Sequence, residues 1–345
     1  MNSRLKTIYY DIWNRDSSTS IVVDIEILQP DRIVLFCAQE WEPGYIFPNS
    51  LVVEKVEKLL EKYEVELIVV FGTHPGWDSF YENYKNIPKV NTEIIFWPSY
   101  FCFHAYHHLK EAKTHFLSDD YTPESIRAEK LFTSLNNKTH YHRCVLQDEL
   151  SRQNVLQYGD YSWIDYEESL QFNWKYWKPK FTFLDHKYVE TLDSYITFPH
   201  RYTGNLLNLI PETTPLVPFL TEKTWMAIFA GQPTVVFGSK DTAKVLDELG
   251  FLPYEELVDY SYDSIYDTEE RAAHLVGSLE KLTDKDWVEL KKTLLTKTQY
   301  NRERAVHIAT SGRYVPSRLI EILRQDTYEN IPFWIRFCSL DRITA

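Results

Sequence analysis

The sequence predicts an α/β protein built from two Rossmann-like domains that face each other across a cleft. Three observations lead to this prediction. The chain has 345 residues, which is long for one hydrophobic core and suits two. Nearly all-apolar strand-like segments, such as residues 32–37 and 66–71, alternate with segments of helical apolar spacing, such as residues 51–63. Apolar strands interleaved with helices are typical of parallel sheets covered on both faces.

The predicted N-terminal domain comprises residues 1–118. Residues 21–27 (IVVDIEI) are predicted as a strand from their β-branched content, and residues 92–96 as another. An aromatic-rich helix is expected around residues 100–110. The polar segment SDDYTPE, residues 118–124, is the predicted linker.

Residues 125–315 form the predicted second domain, in which strands and helices alternate again. Gly250 is expected to end one helix in the left-handed conformation. The amphipathic residues 316–345 are predicted as a helical segment that packs back on the body of the protein. The predicted strands are residues 131–135 and 233–237, and the predicted helices are residues 143–156, 221–230, 241–249, 271–281 and 284–303.

The composition and charge of the chain restrict the classes of function and the locations that fit it. A net charge of −13 is not typical of a nucleic-acid binder. Residues 174–187 nevertheless hold four lysines among aromatics, so this face either meets a polyanion or is simply solvated. The four cysteines lie far apart and are expected to be reduced. With no apolar N-terminal leader and no long apolar span, the prediction is a cytoplasmic protein without a membrane span.

The strongest chemical signal is the run Thr221-Glu222-Lys223-Thr224-Trp225 at a predicted helix start. Free N–H groups and the helix dipole favour an anion there. Lys223 is able to neutralise a departing diphosphate, Glu222 to accept bonds from ribose hydroxyls, and Thr221 to cap the helix or offer a hydroxyl. The alternative is an ordinary surface Glu–Lys pair on a capped helix.

A second cluster follows the predicted strand at residues 131–135. Asn136 offers an amide for a base or sugar hydroxyls, and Arg143, beside His142, offers a planar fork for phosphate. Loops at the carboxyl ends of parallel strands are where such sheets bind ligands. The alternative is that His142 and Arg143 only cap their helix and pair with its acids.

Residues 258–271 (VDYSYDSIYDTEER) alternate aromatic and acidic side chains. Tyr260 and Asp263 are candidates to line a base or sugar pocket. The alternative is a solvated loop whose Asp267 caps the next helix through a capping box to Glu270.

The pattern F-x-T-E-K-T-W, then A-G-Q-P-x-V-V-F-G, then L-x-E-L-G-F resembles the donor-site signature of α1,3-fucosyltransferase-like glycosyltransferases. It is similar also to glycosyltransferase-like proteins of bacteriophages. The resemblance covers about residues 219–251. It implies a GT-B fold, with an acceptor-side N-terminal domain, and a UDP- or GDP-sugar co-substrate without a further cofactor. It places Glu222 on ribose and Lys223 on diphosphate. Thr221 stands where the family usually has a serine before the glutamate, and Trp225 stands where it has an aromatic residue soon after the lysine.

Transfer with inversion needs a general base near the acceptor hydroxyl. Glu40, His74 and Asp78 lie in loops after apolar strands and are the candidate catalytic residues. A histidine group (His104, His107, His108) has the spacing of a metal site, although stacking within an aromatic-rich helix is favoured. The chain has one Asp-x-Asp sequence, Asp284-Lys285-Asp286, at the start of a predicted helix, and no metal is predicted.

The function predicted from these patterns is a nucleotide-sugar-dependent glycosyltransferase. A hydroxymethylated base in phage DNA is one acceptor, which would place the protein in the host cytoplasm. A glycan or lipid-linked acceptor is the alternative, and a non-catalytic nucleotide-sugar-binding protein is the contrasting class. The oligomeric state is not predicted.

Overall fold

We describe a computed structural model of the chain. The structure describes residues 5–10, 17–37, 47, 49–72, 87–97, 126–136, 138–164, 166–182, 201–213, 218–311, 314–326 and 328–336. The chain divides into two compact units, one formed by residues 1–106 together with 307–345 and the other by residues 107–306. The predicted linker at 118–124 and the helix predicted around 100–110 lie outside the described residues.

Eight strands are described: β1 Thr7–Tyr10, β2 Arg32–Cys37, β3 Glu66–Phe71, β4 Thr92–Phe96, β5 Phe132–Asn136, β6 Gly159–Trp163, β7 Leu207–Pro211 and β8 Thr234–Phe237. The described helices are α1 Ser17–Leu28, α2 Ser50–Lys62, α3 Tyr141–Arg152, α4 Tyr166–Ser169, α5 Arg201–Gly204, α6 Glu222–Phe229, α7 Thr242–Glu248, α8 Thr268–Glu280, α9 Trp287–Thr293, α10 Leu295–Thr310 and α11 Ser317–Arg324. Short 3-10 turns cover Leu156–Tyr158, Tyr260–Ser264 and Tyr328–Asn330.

The first unit contains a parallel sheet in the order β1-β2-β3-β4. The strands predicted at residues 32–37, 66–71 and 92–96 are confirmed, as is the helix predicted at residues 51–63. Successive residues of β2 point to opposite faces of the sheet. Leu35 packs into a core with Val56 and Leu60 of α2. Both faces of β2 are buried, which explains its unbroken apolar run.

Residues 21–27 were predicted as a strand, and that prediction is wrong, because they belong to α1. Ile21, Val22 and Ile25 are buried, whereas Ile27 is 72% exposed. This is helical spacing, with one stripe facing the core. Packing of that stripe against the first core overrides the β-branched propensity.

The tail of the chain packs against the first sheet. Trp334 lies 5.3 Å from the ring of Phe36 and stacks on Trp97 at 5.9 Å. In α11, Arg318 reaches Glu93 of β4 at 2.7 Å. The tail therefore covers the Phe36 side of β2, opposite the side that faces α2.

The second unit contains a parallel sheet in the order β6-β5-β7-β8. One face packs on α3 and α8 through a core that includes Phe132, Leu209 and Leu275. On the other face Ile210 packs on Met226 of α6. Because both sheets are parallel among the described strands, the predicted α/β class is confirmed.

The order of the second sheet contains a reversal. From β5 the chain moves to β6 on one side, then crosses to β7 on the other side and continues to β8. The connections that leave β5 and β7 therefore diverge at the carboxyl edge. Such a topological switch point is where open parallel sheets form a ligand crevice.

Several local predictions for the second unit hold. Gly250 has a φ of 82° after α7, as expected for a helix stop, and a Cβ there would meet the Arg304 side chain at 3.0 Å. The Asp267 side chain accepts a hydrogen bond from the Glu270 backbone N–H at 2.8 Å. The single helix predicted over residues 284–303 is instead two helices, α9 and α10.

The side chains of Cys37 and Cys144 are buried, whereas Cys102 and Cys338 lie outside the described residues. In the part of the chain that the structure describes, no helix is long and apolar enough to cross a membrane.

Candidate functional site at the carboxyl edge of the second sheet

Glu212 directly follows β7 and is completely buried. Its carboxylate accepts hydrogen bonds from the Thr221 backbone N–H at 2.9 Å, the Thr221 hydroxyl at 2.6 Å and the Thr224 hydroxyl at 2.5 Å. Burial raises the pKa of Glu212, and the nearby Lys223 charge and the threonine hydrogen bonds oppose that rise. The carboxylate thus fastens the start of α6 to the end of β7.

The backbone carbonyl of Glu212 is a second attachment point. Arg143 donates to it from Nε at 3.2 Å and from Nη2 at 3.1 Å, and His142 Nε2 lies 2.7 Å away. We call Glu212, Thr221, Thr224, His142 and Arg143 the Glu212 network. It joins the start of α3, the end of β7 and the start of α6.

The structure places Arg143 differently from its predicted role as a phosphate fork. Nε and Nη2 face the Glu212 carbonyl, and Nη1 donates to the Lys138 carbonyl at 2.9 Å. Burial lowers the pKa of Arg143 to about 10. The planar group therefore holds main-chain carbonyls together and does not present an exposed fork. Nor does Arg143 pair with Asp148, whose carboxylate binds the backbone N–H groups of residues 175–177.

His142 is fully buried, and its Nε2 must carry the proton because it donates to a carbonyl. Burial and then the Arg143 charge lower the pKa of His142 to about 3, so the ring is neutral. Desolvation, Arg143 and Lys223 lower the pKa of His140 to about 4. Of these two histidines, His140, in the β5–α3 loop, is the one whose pKa responds to the Lys223 charge.

Lys223 and Glu222 form the predicted pair in the first turn of α6. Lys223 Nζ donates to Glu222 Oε1 at 2.8 Å and to the Thr221 hydroxyl at 3.2 Å. The side chains are 19% and 13% exposed for Lys223 and Glu222 respectively. The Lys223 ammonium is thus held at the rim of the Glu212 network, on a side chain that is only partly exposed.

Thr221 is the N-cap residue of α6, as predicted, but its hydroxyl makes no capping bond. That hydroxyl donates to Glu212 instead. Thr224 is buried, and its hydroxyl also donates a hydrogen bond to Glu212. The two threonines are therefore part of the scaffold below the Glu–Lys pair.

Asn136 ends β5, across the switch point from Glu212. It is 4% exposed, and its backbone N–H donates to the Ser162 hydroxyl at 2.9 Å. Among the described residues its Oδ1 has no hydrogen-bond partner. Buried carbonyl oxygens are normally paired, so this atom is a candidate ligand contact at the crevice.

Tyr260 and Asp263 have structural roles of their own. The Asp263 carboxylate accepts from the backbone N–H groups of Ala243 at 3.0 Å and Lys244 at 2.9 Å, so it caps α7. The Tyr260 hydroxyl accepts from the Tyr254 backbone N–H at 3.1 Å. Burial raises the pKa of both groups. Both residues also line a cavity of about 300 Å³.

The lysine-rich segment at residues 174–182 turns its tryptophans inward. Trp177 is 8% exposed and packs against Trp163 at 5.1 Å. The outward side chains are Lys175, Lys178 and Lys180, together with the 57% exposed Tyr176 and the 59% exposed Phe181. A basic exposed surface that also carries two exposed aromatic rings is thus present.

Three predicted catalytic residues, Glu40, His74 and Asp78, lie outside the described residues, as does the histidine group at residues 104–108. Within the described ranges, no cluster of three His, Cys, Asp or Glu side chains is placed to hold a metal ion.

Sequence reasoning did not find Glu212. The only available signal is an acidic residue directly after the short apolar run LNLIP. An acid at the end of a buried strand is a candidate for the carboxyl edge of a parallel sheet.

Comparison with models of known protein families gives no match. No curated protein sequence matches the chain significantly. The class defined by the structure is therefore a mixed α/β protein with two parallel sheets, and its site must be interpreted from its own geometry.

Proposed function

We propose that the protein is a glycosyltransferase that moves a sugar from a nucleotide-sugar donor to an acceptor hydroxyl. The observation that carries the proposal is the position of Lys223 and Glu222. They start a helix whose N-cap residue, Thr221, is fixed by a buried carboxylate next to a topological switch point. A cation, a helix N-terminus and a crevice together suit a diphosphate.

In this proposal Lys223 neutralises the charge that develops on the departing diphosphate. Glu222 accepts hydrogen bonds from the ribose hydroxyls, and Asn136 Oδ1 accepts one from the base or sugar. Arg143, His142 and the buried threonines position these groups through the Glu212 network. The proposal assigns the two parallel α/β units to the GT-B class.

Titration calorimetry with UDP and GDP tests donor binding. Lys223→Ala should weaken nucleotide binding at least about tenfold, because a charge-assisted contact contributes about 1.5–3 kcal/mol. Glu222→Ala should weaken it as well. The exposed Lys285→Ala is the matched control, and all variants should melt at the same temperature as the parent. If neither nucleotide binds the parent protein, the proposal is wrong.

The proposed acceptor is a hydroxymethylated base in DNA or, alternatively, a glycan or lipid-linked hydroxyl. The exposed Lys175, Lys178 and Lys180 are the observation that bears on DNA. Binding to duplex DNA in a gel shift that falls steeply with salt concentration would support the DNA acceptor. Changing these three lysines to serine should weaken that binding further. Mass spectrometry measures whether sugar nucleotides are hydrolysed or their sugar transferred. Binding of a sugar nucleotide without either reaction would favour a non-catalytic binding protein.

A further inference from the structure

A cleft of about 900 Å³ lies in the second unit, along α3. Its other walls come from residues 169–176, which follow β6, and from the start of α8. No residue of the Glu212 network lines it. Its volume is in the range of small-molecule sites.

Aromatic faces are exposed in this cleft. Tyr141 is 54% exposed and Tyr176 is 57% exposed. The Phe172 ring packs against Tyr141 at 5.8 Å, and the Tyr141 hydroxyl donates to Glu269 at 3.2 Å. Tyr141 is thus held in place by a ring and a carboxylate.

The charged side chains of the cleft are largely compensated within the protein. The Asp148 carboxylate accepts three consecutive backbone N–H groups. Glu149 forms a bidentate pair with Arg152, with the shorter of its two contacts at 2.5 Å. Glu269 binds Tyr141 and lies 3.7 Å from Lys175.

This charge pattern selects the ligand class. The lining holds more acidic than basic side chains, which disfavours an anion. Three of its carboxylates already have donors, which removes the main attraction for a cation. A neutral ligand with many hydroxyls, able to donate to carboxylates and accept from Arg152 and Lys175, fits the remaining capacity. Its apolar ring face would lie on a tyrosine.

We propose that this cleft binds a carbohydrate, specifically the pyranose rings of a neutral oligosaccharide, with Tyr141 and Tyr176 as stacking platforms. Carbohydrate binding here does not require the donor site. Only the further step, that this carbohydrate is the acceptor, rests on the proposed function, and it would select the glycan over DNA.

Saturation-transfer NMR with maltotriose, cellotriose, chitotriose and mannotriose on the full chain tests the proposal. At least one should receive saturation, and calorimetry with it should give a dissociation constant in the millimolar range. Tyr176→Ala and Tyr141→Ala should each weaken that binding about tenfold. Tyr300→Ala, which removes an exposed tyrosine outside the cleft, should leave it unchanged.

If none of the four sugars receives saturation, the proposal is wrong. It is also wrong if binding persists unchanged in both tyrosine variants. If Tyr141→Ala does not fold, Tyr176→Ala alone decides, because its ring is more than half exposed. Lys223→Ala separates the two proposals. It should weaken UDP or GDP binding at least about tenfold and leave the oligosaccharide affinity intact.

Discussion

The two sheets of this protein are made of similar strands but connected differently. Each has four parallel strands rich in buried apolar residues. In the first sheet the strands follow one another in chain order, so every connection moves in the same direction. In the second sheet the direction reverses between β6 and β7. Among the described strands, only this reversal produces diverging connections at a carboxyl edge.

The chemistry of the two sheets follows this difference. The second sheet places the completely buried Glu212 and the buried Asn136 on either side of its switch point. In the first sheet the described ends of β2 and β3 are Cys37 and Phe71, both apolar and buried. Among the described strand ends, buried polar side chains therefore flank the switch point of the second sheet.

Glu212→Ala should break the second sheet's edge most severely. It leaves the Thr221 N–H and two hydroxyls without their acceptor, which should lower the free energy of unfolding by about 3–5 kcal/mol. Urea unfolding followed by tryptophan fluorescence measures this. Glu129→Ala, at an exposed position just before β5, should change stability by less than about 0.5 kcal/mol. A small effect for Glu212→Ala would show that the network does not hold α6.

Trp334→Ala is the corresponding change for the first sheet. Loss of a buried aromatic ring that stacks on Trp97 and packs against Phe36 should cost about 3 kcal/mol. The adjacent Phe333 is 61% exposed, so Phe333→Ala is a matched control with little expected effect. Thermal unfolding compares the two variants. Equal effects would mean that the tail does not cover this face.

Lys291 holds the amino edge of the second sheet. It is 1% exposed, and its ammonium donates to the carbonyls of Arg127 at 3.0 Å, Thr203 at 2.8 Å and Asn205 at 2.5 Å. Burial lowers the pKa of Lys291 to about 7. Between about pH 7 and the ordinary lysine pKa, the unfolded chain therefore binds more protons than the native one. Its contribution to stability should consequently rise with pH in this window.

Lys291→Met tests that sign. From pH 7 to pH 9 the parent should gain about 2 kcal/mol relative to this variant, at about 1.4 kcal/mol per pH unit once the native lysine is neutral. Urea unfolding at both pH values measures the difference. Lys292→Met, at the neighbouring exposed lysine, should follow the parent. A difference that is flat or falls with pH would contradict the lowered pKa.

The smallest effect is expected for Arg318→Ala in the first unit. Arg318 pairs with Glu93 at 2.7 Å and lies 3.7 Å from Glu66, but its side chain is 44% exposed. An exposed ion pair contributes about 0–1 kcal/mol, and salt screens it. The loss should therefore shrink further in 1 M NaCl, where the Debye length is about 3 Å. An effect as large as that of Glu212→Ala would remove the contrast between the two units.

The sequence revealed those parts of the fold that depend on local pattern. β2 and β3 were located from their apolar runs and β4 as a further strand, and the stop at Gly250 from its lack of a side chain. β7 was missed because LNLIP is short and carries a polar residue, Asn208, that is buried between neighbouring strands. α1 was misassigned because its β-branched residues favour a strand until tertiary packing decides otherwise.

The candidate site could be predicted only in part for a similar reason. The Glu222–Lys223 pair is local, since a helix start and its charges are read directly from neighbouring residues. The role of Arg143 is not local, because its acceptor is the carbonyl of Glu212, in a distant part of the chain. The importance of Glu212 likewise depends on Thr221 and Thr224, which only the fold brings to it.

The first unit is formed by two separate chain segments, which has a consequence for synthesis on the ribosome. The strands of its sheet lie in residues 1–106, whereas Trp334 and α11, which pack on that sheet, follow the whole second unit in the sequence. Throughout that interval the Phe36 side of the sheet lacks its cover. Nascent chains with such uncovered apolar strands are prone to aggregate. We therefore expect the first unit to become protected from proteases and chaperones only after the segment that contains α11 and Trp334 has left the ribosome.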